Sequence, residues 1–223
     1  MTTPPPTRAT RLAYDTVAAD YAKLFSTELE SKPLDRGLLG VFAEFVRSAG
    51  LGPVADVGCG PGRVTTYLSG LGLDAFGVDL SPGMIEIARA RYPELRFEVG
   101  AMAALDLADG TLGGVLAWYS IIHTPPEQLA ASFAELGRVL APGGHLLLAF
   151  QAGDDDHVHR EEAYGHAVSL DSYRHSPDRV AELLERAGIP VHTRVLRDPD
   201  YVGWETSPQA YFLARRELAA PSP

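Results

Sequence analysis

The chain has 223 residues, 46% of them hydrophobic, and a formal net charge of −10 at pH 7. That length and apolar content suit one packed domain, while the acidic balance argues against a nucleic-acid substrate, whose phosphates need a basic surface. No run of about twenty apolar residues is present to span a bilayer, and the lone cysteine, Cys59, excludes an internal disulfide and fits a reducing, cytoplasmic setting.

The start, Met1-Thr2-Thr3-Pro4-Pro5-Pro6-Thr7, has no apolar core and reads as a frayed tail rather than a signal peptide. Leu12, Val17, Ala18, Tyr21, Leu24 and Phe25 recur at helical spacings, which predicts one or two amphipathic helices over 8–25. A further helical pattern over 34–49 stops at Gly50 and Gly52. Residues 1–51 are thus expected to form a tail and a helical lid, and 52–216 a core. Within that core, strands are predicted at 54–57, 75–78, 96–99, 114–118 and 145–150. Helices are predicted at 62–71, from Pro82 (behind the N-cap candidate Ser81) to about 92, and from Pro126 or Glu127 to 139. Ala141-Pro142-Gly143-Gly144 reads as the turn that opens the fifth strand. Strands separated by helices of this length imply right-handed crossovers and a parallel, doubly wound α/β sheet.

Residues 151–176 carry Asp154-Asp155-Asp156 and histidines 157, 159 and 166 without sustained periodicity, so a loop-rich insert over the open site is expected. Ser176-Pro177-Asp178 then starts a helix through Val180, Leu183, Leu184 and Ala187, stopped by Gly188. Two final strands, 191–196 and 210–214, joined around Tyr201-Val202-Gly203-Trp204, suit an antiparallel hairpin that closes the sheet edge. Residues 217–223 read as a loose end.

The most informative stretch is Val54-Ala55-Asp56-Val57-Gly58-Cys59-Gly60-Pro61-Gly62, an apolar strand leading into a glycine turn and a helix start. Glycine lets a backbone turn sharply and lets a ligand lie against it, and free N–H groups at a helix N-terminus favour an anionic partner. Phe76-Gly77-Val78-Asp79-Leu80 is a second strand ending in an acid, placed where a ribose diol would be held. The G-x-G-x-G spacing, with Asp56 before it and Pro61 inside it, differs from the G-x-G-x-x-G of dinucleotide-binding proteins. Asp56–Gly62 resembles motif I of class I S-adenosylmethionine-dependent methyltransferases, and Gly77-Val78-Asp79-Leu80-Ser81 resembles their acidic second motif. Residues 138–147 resemble the stretch before the fifth strand of that family, and residues 14–21 the segment before the core in its small-molecule members.

The resemblance implies a Rossmann-like sheet of seven strands, the last antiparallel, and methyl transfer from S-adenosylmethionine to a small-molecule acceptor, either O- or N-methylation. It implies that Gly58, Cys59, Gly60 and Gly62 carry the methionine portion and that Asp56 orders the turn and attracts the amino group. Asp79 would accept from the ribose hydroxyls, with a helix-capping acid as the other reading. Leu80 and Met84 would flank the adenine, although Met84 equally suits a helix core. After the third strand the family commonly has Gly-Asp, whereas this chain has Gly100-Ala101-Met102, which leaves the backbone N–H of Met102 to read the adenine. Tyr119 would line the cofactor pocket. Tyr14 and Tyr21 would face cofactor and acceptor from the lid, or else serve as core aromatics.

His123, in Trp118-Tyr119-Ser120-Ile121-Ile122-His123-Thr124-Pro125-Pro126, is the candidate general base: an imidazole titrating near 6.5 can take a proton as the methyl moves. The other reading is a histidine that fixes its loop by bonding backbone carbonyls. His157 in the insert is a candidate acceptor contact. The acidic 154–156 run with His157 and His159 matches no ligand motif, so no metal is expected. The sequence leaves a monomer or a homodimer open. Its Ala, Gly and Arg usage associates it with high-GC bacteria and their secondary metabolism. A non-catalytic S-adenosylmethionine-binding protein and a nicotinamide oxidoreductase are the alternatives.

Overall fold

A computed structural model describes residues 5–200 and 205–218. The chain runs α1 (Pro5–Leu24), α2 (Pro33–Ala49), β1 (Val54–Val57), α3 (Arg63–Gly70), β2 (Ala75–Asp79), α4 (Pro82–Arg91), β3 (Phe97–Val99) and β4 (Leu112–Trp118). It continues through α5 (Leu129–Val139), β5 (Leu140–Gln151), β6 (Asp156–Ala163), β7 (His166–Arg174), α6 (Pro177–Arg186), β8 (Val191–Arg197) and β9 (Gln209–Arg215). Helix α1 begins inside the segment expected to fray: prolines suit a first helical turn, where an N–H has no intrahelical partner. The tail residues 1–4, the 201–204 connection and the 219–223 end lie outside the described residues.

Seven strands form one sheet in the order β3-β2-β1-β4-β5-β9-β8. Among the described residues, β9 alone runs antiparallel, between β5 and β8. Every residue of β1 and β4 is buried, as expected of central parallel strands covered on both faces. Alternation divides their side chains: Val115 and Ala117 pack with Phe133 and Leu136 of α5 and Leu184 of α6, while Leu116 and Trp118 pack with Leu39 and Phe42 of α2 and Leu68 of α3. This is the doubly wound, Rossmann-like sheet that the alternation of strands and helices predicts.

The helix boundaries follow local chemistry. Gly50 closes α2 in a left-handed conformation, its N–H donating to Val46. The Ser81 and Ser176 hydroxyls cap α4 and α6 by accepting from Met84 N and Arg179 N. Asp15 of α1 docks on the open end of α4: its Oδ1 accepts from Ser81 Oγ at 2.6 Å and Gly83 N at 3.0 Å. A carboxylate there meets unpaired N–H groups and the positive end of the helix dipole, and so fixes α1 to the core.

Two segments differ from expectation. The stretch expected to be loop-rich is a two-stranded antiparallel ribbon, β6 with β7. Tyr164 and Gly165 both take positive φ in a two-residue turn between the paired Ala163 and His166, the turn whose twist matches a hairpin. Its exposed face is polar, which hid the period-2 pattern. The 141–144 stretch lies within β5: pairing with β4 holds at Leu112↔Leu140, then jumps to Gly114↔His145 across a bulged loop with Gly143 at φ 84°.

Candidate active site

Because β1 pairs with β2 on one side and β4 on the other, the carboxyl ends of these strands open the crevice where a doubly wound sheet binds ligands. A cavity of about 1120 Å³ lies there, above the usual range of roughly 300–1,000 Å³ for one ligand. Its floor is Gly58 and Gly60 after β1, Asp79 and Leu80 at the end of β2, Met84 of α4, Gly100 to Ala104 after β3, and Trp118 to Ser120 at the end of β4. Its roof is Tyr14 and Tyr21 of α1 with Arg160 and Tyr164 of the ribbon.

The glycine turn is held in place from below. Gly58 N and Cys59 N both donate to Val78 O, and a Cβ on Gly58, whose φ is 83°, would lie 2.2 Å from Ser120 Cβ. The Asp79 carboxylate spans two motifs, Oδ2 accepting from Gly60 N at 2.7 Å and Oδ1 from Ser81 N at 2.8 Å. Burial outweighs these bonds and raises its pKa; each oxygen retains a further lone pair for a hydroxyl.

Three residues expected at the cofactor are placed elsewhere. Asp56 lies beneath the turn, 1% exposed, with Oδ2 accepting from Thr65 Oγ1 at 2.7 Å; it braces the turn against α3 rather than lining the cavity. The Cys59 side chain packs with Ile85, Ala88 and Phe97, as a small filler. Gly62 faces the Phe97 ring, which a Cβ would approach to 2.8 Å, so glycine is required there by packing and a φ of 81°. Burial pushes the Asp56 carboxyl up to about 7, well above its ordinary 3.9. The folded state then holds the proton that the unfolded chain has lost, so this group's contribution to stability is full below about pH 4 and disappears as pH rises through about 7. Urea unfolding at pH 5, 6 and 7 is expected to show a slope in wild type, on the order of 1.4 kcal/mol per pH unit, that flattens in Asp56→Asn. Identical slopes in the two proteins would remove Asp56 as the cause.

His123 ends a short 3-10 turn, Ile121–His123, after β4. Its Nδ1 lies 2.6 Å from the Asp171 carbonyl of β7, and its Nε2 lies 2.7 Å from the Tyr14 hydroxyl. A carbonyl only accepts, so Nδ1 carries the proton and Nε2 accepts from Tyr14. Both ring nitrogens are therefore engaged, and His123 and Tyr14 both line the cavity. Burial lowers the imidazole to about 4 and raises the Tyr14 phenol. Tyr21 also lines the cavity, edge-on to Tyr14 at 5.8 Å and to Tyr164 at 5.2 Å. Tyr119 lines it from a strained φ of 55°, its hydroxyl donating to Tyr211, which donates to Asp35.

His157 does not reach the cavity. It lies half-exposed on the outer face of the ribbon, stacked on Tyr173 and bonded to Asp171 Oδ1 at 2.7 Å, next to His159. The side chain of Asp171 thus binds the outer histidines while its carbonyl holds His123. Among the described residues, no group of three or more His, Cys, Asp or Glu is placed to hold a metal, and no helix is long and apolar enough to cross a membrane.

Sequence reasoning missed several cavity residues. Arg63, directly after the glycine turn, pairs with Glu28 at 2.9 Å, and its Nη1 is buried without a partner. Ser120 Oγ is likewise buried and unpartnered. A cation in the first position after a ligand-binding turn was the available signal for Arg63. Arg160 and Tyr164 gave none, since their positions depend on the ribbon.

The fold is that of solved S-adenosylmethionine-dependent methyltransferases. Residues 54–144 match a family model described as a methyltransferase domain. An uncharacterized methyltransferase of Mycobacterium tuberculosis is 32% identical over 145 residues, covering 64% of this chain and 50% of that one. Magnesium-protoporphyrin O-methyltransferase of Rhodobacter capsulatus is 38% identical over 110 residues, covering 44% of this chain and 48% of its own. Among solved structures, magnesium protoporphyrin IX methyltransferase of Synechocystis with bound S-adenosylmethionine superposes with a TM-score of 0.70 at 16% identity, covering 97% of this chain and all of that one. The chain spans about half the length of the curated relatives it matches. Through residues 54–144 the chain matches the methyltransferase domain family, on the fold of solved S-adenosylmethionine-dependent methyltransferases.

Proposed function

We propose that the protein transfers the methyl group of S-adenosylmethionine to a hydroxyl, amine or carboxyl of a small molecule. The observation that carries this reading is the Asp79 carboxylate bonded to both Gly60 N and Ser81 N at the floor of the cavity. It joins a glycine turn a ligand can lie on to an acid aimed at a diol.

The residues present fit the cofactor. The orphaned Arg63 Nη1 and Ser120 Oγ, both in cavity-lining residues, would take its carboxylate and amino group. Asp79 would accept from the ribose hydroxyls, and Leu80, Met84, Ala101 and Met102 would flank the adenine. Bound there, S-adenosylmethionine supplies a methyl carbon already activated by its sulfonium. What remains for the chain is to align the acceptor, exclude water and move a proton. Tyr14 would contact the acceptor, its phenolic oxygen accepting from the acceptor hydroxyl as its own proton passes to His123 Nε2. The Asp171 carbonyl would support the resulting imidazolium at Nδ1. Helix α1 and the ribbon act together as a lid, tied by His166 to Asp20 at 2.7 Å. Relatives named for protoporphyrin and for 1,6-didemethyltoxoflavin support a small acceptor.

Mass action provides the test, since a ligand that binds only the native state raises its melting temperature. Millimolar S-adenosylhomocysteine is expected to raise the melting temperature, and nicotinamide dinucleotides to leave it unchanged. The reverse pattern would sink the methyltransferase reading. Binding of S-adenosylhomocysteine without turnover on any acceptor would point to a non-catalytic binding protein.

A further inference from the structure

We propose that Arg160 selects acceptors carrying a carboxylate close to the atom that is methylated. The proposal rests on the methyltransferase reading and names the substrate class of that same site.

Three cationic side chains line the cavity: Lys32, Arg63 and Arg160. Lys32 bonds Glu205 at 3.1 Å and Arg63 bonds Glu28 at 2.9 Å. The Arg160 side chain has no hydrogen bond or ion pair among the described residues, although most arginines of the chain are engaged by carboxylates or carbonyls. It sits in β6 directly opposite Leu170 of β7, a buried residue that also lines the cavity, whereas His159 opposite Asp171 belongs to the outer face. Strand alternation therefore points Arg160 inward.

Its charge is felt at the reacting end. It favours the ionised form of the Tyr14 phenol and disfavours a charged His123 imidazole. The cavity also holds Glu28, Asp35, Asp79, Glu162 and Glu205. Lys32 and Arg63 are paired with Glu205 and Glu28, and the free nitrogen of Arg63 is assigned to the cofactor carboxylate, which leaves Arg160 as the guanidinium for an anionic acceptor. Guanidinium presents a planar fork that fits a carboxylate through two parallel bonds. Those bonds strengthen as the acceptor displaces water from the cavity. Glu162, two residues along the strand and past a register shift, also lines the cavity without an ion pair. It exerts no comparable influence on Tyr14 or His123, so it serves as the control.

The full chain, saturated with S-adenosylhomocysteine, is titrated calorimetrically with matched probes: 4-hydroxybenzoate against 4-hydroxybenzamide, and 3,4-dihydroxybenzoate against its amide. The acids are expected to bind about tenfold tighter or more, the scale of a hydrogen bond to a charged group. Arg160→Gln is expected to abolish that preference while S-adenosylhomocysteine affinity and melting temperature stay put. Arg160→Lys should retain part of it, and Glu162→Gln all of it. Equal affinity of wild type for acid and amide, including no binding of either, overturns the proposal. So does an acid preference that survives in Arg160→Gln, or one lost equally in Glu162→Gln. Failure of wild type to bind S-adenosylhomocysteine would instead remove the methyltransferase reading.

Discussion

Replacing His123 with alanine is expected to lower turnover by about 10²–10⁴-fold, the scale of a positioned proton acceptor, with S-adenosylhomocysteine affinity nearly unchanged. The proposed adenosine contacts, Asp79, Leu80, Met84, Ala101 and Met102, lie after β2 and β3 rather than beside His123. Tyr14→Phe should produce a loss of similar size, because it removes the hydroxyl between imidazole and acceptor, and the double variant should fall little further. The pH profile follows from burial. With the imidazole lowered to about 4, Nε2 stays free of a proton throughout the neutral range. The acid limb of turnover should therefore lie near pH 4 rather than near the ordinary 6.5. The same shift makes this histidine's contribution to stability full above about 6.5 and lost as pH falls through about 4, since the unfolded chain takes up the proton first. A histidine that only holds its loop would give a lower melting temperature with affinity and turnover falling together. A folded His123→Ala protein with near-normal turnover would leave acceptor activation to proximity.

Asp79→Ala is expected to weaken S-adenosylhomocysteine binding by about 1.5–3 kcal/mol, roughly ten- to hundredfold in Kd, the range for hydrogen bonds to a charged group. The geometry adds a second effect. Gly60 N and Ser81 N both lose their acceptor, and a buried donor left unpaired costs about 1–3 kcal/mol. The variant should therefore melt earlier without ligand, and its affinity must be titrated at a temperature where it is folded. An unchanged Kd in that titration would place Asp79 outside the site.

The two predictions differ in how far the sequence leads to them. Asp79 could be found by reading the chain because its role is local: a strand ends in an acid, and a glycine turn precedes it at the spacing a neighbouring parallel strand demands. His123 could be found as a residue, since it follows the fourth strand, but its state could not. Its partner Tyr14 lies 109 positions away, and the carbonyl that fixes its tautomer belongs to a ribbon the sequence presents as loop. Asp56 shows the converse. Its place in the motif suggests contact with the cofactor, whereas the side-chain alternation of β1 sends it beneath the turn to Thr65.

The sequence by itself determined the sheet, its crossovers and the floor of the crevice, because strand and helix periodicities, serine caps and glycine turns are encoded within a few residues of where they act. It also determined that helices precede the core. Only the tertiary structure decided what roofs the cavity. The ribbon of 156–174 is polar on its outer face and owes its inward residues, Arg160 and Leu170, to strand pairing and to docking against α1. Only the fold placed Glu28 on Arg63, put Cys59 and Gly62 into packing rather than the pocket, and left Arg160 unpaired. Such outcomes depend on contacts between distant segments, where burial and alternation choose which face of an element meets the ligand.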